Sequence, residues 1–512
     1  MKIKLFILLL LTVIIIPGLL FAQYVQQGPK LFGTGGDASS FQGSSFAVSL
    51  DDNTAIVGGY DDNNFGGAVW VFTRTGTGWI QQGQKLVGSG AVGSSVYQGF
   101  STAISSDGNT FIEGGWRDNN DEGAAWVFTR SNGVWTQQGQ KLVGSGAVGN
   151  ANQGRSVAIS ADGNTVFVGG EGDSNFVGAV WVFTRSEGVW TQQGQKLVGT
   201  GAVGLADQGI SVAISLDGNT VFIGGEGDSK SVGATWVFTR SGGVWTQQGQ
   251  KLVGLGASGH SSQGASIASS LDGNTFIVGG PGDSSGVGAV WVFARNGGVW
   301  VQQGQKLVGS GVAGNIAYEG NSVAITSDGN TAVVGGEADS NFVGAVWVFR
   351  RSGAVWTQQG QKLVGSGAVG AAHQGWEVAV SSEGAVLEGG PYDNNGAGAF
   401  WVFFNPTTGV FQNSNNIPEK FDLEQNYPNP FNPSTSISFS LGTHGSTSLR
   451  VYDALGREVS VLVSEELSAG TYTRQWNAIG MPSGVYFYRL QVYPDIVGAG
   501  SFTEAKKLVL LK

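Results

Sequence analysis

The sequence predicts an all-β chain: a seven-bladed β-propeller followed by a small Ig-like β-sandwich. Three observations carry that expectation. Glycine supplies 87 of 512 residues and charged residues only 12%, against usual shares of roughly 7% and 25%, a mixture suited to short strands and tight turns. The tripeptide Trp-Val-Phe recurs seven times, starting at Trp70, Trp126, Trp181, Trp236, Trp291, Trp347 and Trp401, with a period of 54 to 56 residues. After residue 405 the repeat stops, and a stretch of about six short alternating apolar and polar runs fills the C-terminus.

The chain opens with Lys2 and Lys4, an apolar run from Leu5 to Phe21, and Ala22 before polar Gln23. A basic start, an apolar stretch and a small residue at the boundary read as a secretory signal over 1–22 with cleavage expected after Ala22, the alternative being a retained membrane anchor, since the apolar run nearly reaches spanning length. The remaining organisation is a propeller over 23–405, a linker rich in Asn, Pro and Thr over 406–421, and a C-terminal domain over 422–512.

Each repeat predicts one blade. In the unit from Gln153 to Gly199 the strand-like runs are Ser156 to Ser160, Thr165 to Val168, Ala179 to Thr184 and Val189 to Val198. Asp162-Gly163 joins the first two, because glycine accepts the positive φ of a hairpin turn. The repeats are out of phase with the chain ends: the blade containing Trp401 has no fourth strand, and Tyr24 to Leu31 is a spare copy of one. Pairing the two closes a ring and removes two open strand edges, which a linear solenoid would leave exposed.

Recurring charges read as structural. Lys30, Lys85, Lys141, Lys196, Lys251, Lys306 and Lys362 fall on the fourth strand, where lysine on an outer edge blocks pairing between molecules. Asp107, Asp162, Asp217, Asp272 and Asp328 sit in the first hairpin turns, and Arg74, Arg130, Arg185, Arg240, Arg295 and Arg351 in the turns between third and fourth strands. Those two turns emerge on one face, which predicts Arg–Asp pairing around its rim. The opposite face receives the blade-to-blade loops and the second-to-third loops with Asp173, Asp228, Asp283 and Asp339, whose expected role is turn formation and solvation.

At Gln153-Gly154, the Ser-Val-Ala strand, Gly279-Gly280-Pro281, Gly389-Gly390-Pro391 and the aromatic strand, the unit resembles the FG-GAP repeat of integrin-α-like propellers. The resemblance implies a seven-bladed propeller. That family's Asp-x-Asp-x-Asp-Gly calcium loop is absent from the sequence, so calcium binding is not carried over.

The C-terminal region runs from Leu423-Glu424-Gln425-Asn426-Tyr427-Pro428-Asn429-Pro430-Phe431-Asn432-Pro433 through Val451-Tyr452-Asp453-Ala454-Leu455-Gly456-Arg457 and Ser483-Gly484-Val485-Tyr486-Phe487-Tyr488 to Lys506-Lys507-Leu508-Val509. It is similar to the type A C-terminal sorting domain of type IX secretion. That resemblance implies a translocon as partner through residues 422–512, and a final location outside the cell or on its surface.

A net charge of −10 argues against nucleic acid as a partner. The absence of cysteine excludes disulfides and thiol chemistry. The three histidines, His260, His373 and His444, recur at no common position, so no His-based triad or metal site is expected, and no cofactor.

Departures from the repeat mark the candidate site. Of 16 tryptophans, 13 occupy two recurring positions; Trp116, Trp376 and Trp476 do not. Trp116 and Trp376 join Tyr60 and Tyr392 in blades seven, one and two, with Phe41 and Tyr97 in adjoining loops, while Glu113 and Glu388 replace the usual Val or Ile before Gly-Gly. Aromatic faces beside carboxylates suit a sugar or a peptide. The expected function is therefore non-enzymatic binding or adhesion. The alternative is a polysaccharide hydrolase or lyase with Glu113 and Glu388 as acid and base, which requires carboxyls roughly 5 to 9.5 Å apart.

Overall fold

The computed structural model describes residues 24–75, 78–405, 420–426, 429–432, 434–467, 470–478, 481–494 and 501–511. The expected signal segment and most of the expected linker lie outside them.

Seven four-stranded antiparallel sheets follow one another through the repeats. In blade three the strands are Ser156–Ile159, Thr165–Gly170, Ala179–Ser186 and Val189–Gln192. The first strand lines the central channel, where two cavities are walled by first-strand residues of every blade. The fourth run is shorter than its pattern predicts. It breaks at Gln193-Gly194, where Gly194 takes φ +72°, and rejoins the third strand at the Leu197–Val180 bridge.

Ring closure is the predicted one. Val25 and Gln26 pair with Phe404 and Phe403 of Ala399–Phe404, and Leu31 bridges Phe400. The N-terminal segment thus completes blade seven.

Strand alternation sends one side of each blade into the next. Val166, Val168 and Trp181 of blade three share a buried cluster with Ile112, Ala125 and Val127 of blade two. All seven Trp-Val-Phe tryptophans are fully buried, and truncating such a side chain typically costs about 3–5 kcal/mol. The indole also sets a local sequence rule. Trp181 Nε1 donates to Ser145 O at 2.9 Å, and a Cβ on Gly144 would stand 2.0 Å from its ring. Only glycine fits there.

The C-terminal domain has a sheet of Asp422–Leu423, Ser434–Leu441 and Gly470–Asn477, and another of Gly445–Asp453, Glu458–Leu467, Gly484–Pro494 and Phe502–Leu510. Leu423, Ile437 and Phe439 from the first meet Leu449, Val451, Tyr488 and Leu508 from the second in one core. Two sheets around one apolar layer form a sandwich.

Candidate ligand-binding site

The long-loop face is built on a left-handed turn that the sequence pattern did not reveal. After Asp173 in blade three, Ser174, Asn175 and Phe176 take φ of 52°, 57° and 63°. Such conformations are costly for most residues and cheapest for Gly and Asn, which accounts for the Asn and Gly at many of the matching positions, while Phe65, Phe342 and Lys230 hold the same conformation against that preference. The legible signal was an Asp followed by two polar residues at every period, Asn or Ser except at Lys230.

The repeated aspartates and lysines contradict both roles expected of them. Asp173 is fully buried, accepts Lys196 Nζ at 2.6 Å and accepts the Val148 amide at 2.8 Å. Every blade repeats the clip, and in blade seven it joins Lys30 to Asp393. The break at Gln193-Gly194 lets the lysine turn inward, so it holds a buried carboxylate and does not guard an edge. The other rim also differs from expectation. Arg185 donates to Asn164 Oδ1 and Gln138 Oε1, both at 3.0 Å, and stacks 5.2 Å over Trp190. Asp162 instead accepts Ser160 Oγ at 2.5 Å and the Asn164 amide at 2.9 Å, so its carboxylate is already occupied.

Four of the six expected site residues converge. Ring centroids run from Trp376 to Tyr392 at 5.8 Å, from Tyr392 to Phe41 at 4.9 Å and from Phe41 to Tyr60 at 5.5 Å. Tyr60 lies 5.4 Å from Phe100 and 5.5 Å from Tyr97, and these reach Trp116 at 6.0 Å and 5.5 Å. The rings form one arc over blades seven, one and two, each half-buried. Phe41 and Tyr97 hold φ of 53° and 61°, where their counterparts include Asn152 and Asp207. A bulky residue in that region is strained by roughly 1–3 kcal/mol. Arg117 stacks over Tyr97 and Trp116 at 5.4 Å and 5.3 Å, and Arg155 over Phe100 at 4.5 Å.

Glu113 and Glu388 do not join them. Both are fully buried, and neither carboxyl has a hydrogen-bond partner. By alternation Glu113 shares the side of Phe111, packed toward blade one, and Glu388 that of Val386, packed toward blade six. Glu113 stands in blade two and Glu388 in blade seven, with blade one between them. Burial pushes Glu113 up to about 8. Glu388 is raised well above its ordinary value for the same reason.

Sequence reasoning missed His373, whose loop position concealed its surroundings. Its ring lies 4.2 Å from Tyr392 and 4.9 Å from Phe342, and its Nδ1 is 2.9 Å from Glu337 Oε2. It also missed the cavity that the arc borders.

That cavity, of about 310 Å³, opens on the channel axis. The residue after Gln-Gly, or its equivalent, lines it in every blade and differs in each: Ser44, Phe100, Arg155, Ile210, Ala265, Asn321 and Trp376. Arg155 Nε pairs with Glu171 Oε1 at 3.1 Å, and burial raises both Glu171, to about 7, and Glu226. Among the described residues no three acidic or His side chains converge as a metal site.

The comparisons decide one part of the chain. Residues 425–495 match the secretion system C-terminal sorting domain. This type IX sorting domain marks the chain for export to the cell surface or the surrounding medium, with the secretion system as its partner. No helix among the described residues is long and apolar enough to cross a membrane. No curated protein matches the sequence. Among solved structures, the GH74 xyloglucanase from Xanthomonas campestris is similar at 15% identity and a TM-score of 0.38, over 62% of this chain and 47% of that one. A protein assigned as TolB from Agrobacterium tumefaciens is similar at 13% identity and a TM-score of 0.31, over 59% of this chain and 89% of that one. This chain therefore spans less than half the length of the xyloglucanase.

Proposed function

We propose that the propeller is a non-enzymatic binding module carried outside the cell, an FG-GAP-like scaffold whose glycan or protein ligand rests on the aromatic arc. The continuity of that arc carries the reading. All seven blades share the buried tryptophan and the clip, yet seven rings from Trp376 to Trp116 are concentrated over blades seven, one and two. Half-buried rings in mutual contact still gain by covering their remaining faces, through stacking and apolar burial. Arg117 and Arg155 stack on its outer rings.

Glu113 and Glu388, the acid and base of the hydrolase or lyase reading, are both fully buried, which supports the binding reading. Binding of the full chain to arrayed glycans, matrix proteins and cell surfaces tests the proposal. Trp116→Ala and Trp376→Ala should each weaken binding about ten-fold or more. Undiminished binding by both folded variants would remove the arc as the site.

A further inference from the structure

We infer that the axial cavity takes the terminal residue of an uncharged glycan chain, end-on, with Glu377 as its polar anchor. The inference rests on the binding reading above and names the ligand class and its mode of approach.

The cavity wall contains a ring of hydroxyls with one exception. Ser45 Oγ donates to Gly99 O of the next blade at 2.9 Å, and Ser101, Ser156, Ser211 and Ser266 repeat the bond at 2.7 to 2.9 Å. These hydroxyls hold blade to blade and are already committed. In blade seven the position is Glu377, which lines the cavity and draws the Ser322 hydroxyl toward its carboxyl. Ser322 Oγ also accepts the Val378 amide at 3.0 Å. A carboxyl therefore replaces a hydroxyl at one point of an otherwise repeated wall.

The surroundings specify what that group would meet. Tyr60, Phe100 and Trp376 stand at the lip, offering apolar faces. Arg155 is engaged by Glu171, so it presents no unpaired positive charge to an acidic ligand. Burial raises Glu377 to about 8, with Ser322 opposing, which leaves the carboxyl mostly protonated at neutral pH and able to donate as well as accept. Aromatic lips beside the Glu377 and Glu226 carboxyls, with Arg155 already paired, match the hydroxyls and C–H face of an uncharged sugar.

Size fixes the mode. A cavity of about 310 Å³ is at the small end of ligand pockets, which span roughly 300–1,000 Å³. Val157, Val212, Ile267 and Val323 give the wall apolar area, with Thr102 at the matching position of blade two. A separate cavity of about 200 Å³ lies farther along the channel. One ring fits from the open side; the rest of the chain then crosses the arc toward Trp116.

The test uses the full chain and immobilised neutral hexose oligosaccharides with free non-reducing ends, beside the same sugars with that terminal residue oxidised to a uronic acid. At least one neutral sugar should bind, with oxidation and Glu377→Ser each weakening it about ten-fold or more. Glu377→Ser installs the residue of the other blades, so its unchanged melting temperature separates lost binding from lost folding. Binding indifferent to both changes but weakened by Trp116→Ala overturns the axial site and leaves the arc standing. Binding indifferent to all three overturns both. Failure of every neutral sugar to bind overturns the glycan assignment, and a protein ligand sensitive to Trp116→Ala would then preserve the arc.

Discussion

Lys196 Nζ reaches the buried Asp173 Oδ2 at 2.6 Å, and the same carboxylate accepts the Val148 amide through its other oxygen at 2.8 Å. One side chain thereby ties the second-to-third loop of a blade to its fourth strand and to the loop arriving from the preceding blade. Asp173→Ala leaves a lysine and an amide unpaired and should destabilise the propeller by about 2 kcal/mol. Asp393→Ala should cost more, because its partner Lys30 belongs to the segment that closes the ring. Differential scanning calorimetry of the two variants checks both magnitude and order.

Closure itself predicts a second outcome. Removing residues 24–31 exposes the edge of Ala399–Phe404, an apolar strand that Val25, Gln26 and Leu31 otherwise cover. Open apolar edges pair with other molecules. Size-exclusion chromatography should show dimers or aggregates for the truncated chain and a single monomeric peak for the intact one.

Glu113 predicts a pH dependence with a definite sign. Its carboxyl is raised from 4.5 to about 8 in the folded state, so folding favours the protonated form. Its contribution is least unfavourable below about pH 4.5, and stability is lost as pH rises toward 8. Glu113→Val, the residue of blade three at Val168, should raise the melting temperature at pH 8 by at least about 3 °C. The gain should shrink toward pH 4.5. Parallel melting curves for wild type and variant from pH 4 to 9 would contradict this account.

Much of this architecture was legible because repeats turn one inference into seven. The period gave the blades, and the mismatch between Tyr24 to Leu31 and the missing strand after Trp401 gave the closure. The aromatic sector was legible for the converse reason, since Trp116, Trp376, Tyr60 and Tyr392 break a regular pattern. Burial of Glu113 and Glu388 was within reach too: they occupy the register of Val168, which faces a neighbouring blade. The Asp–Lys clip was harder to see. It depends on Gly194 turning the chain so that Lys196 points inward, a three-dimensional consequence of one positive φ. His373 and Glu377 acquire meaning only when loops and strands from several blades meet.

The most direct test of the central claim is the affinity of the full chain for its surface or glycan ligand, measured by surface plasmon resonance for wild type, Trp116→Ala and Trp376→Ala. The aromatic arc predicts that each variant loses about ten-fold or more in affinity while its melting temperature stays near that of wild type. Wild-type affinity in both variants would contradict it.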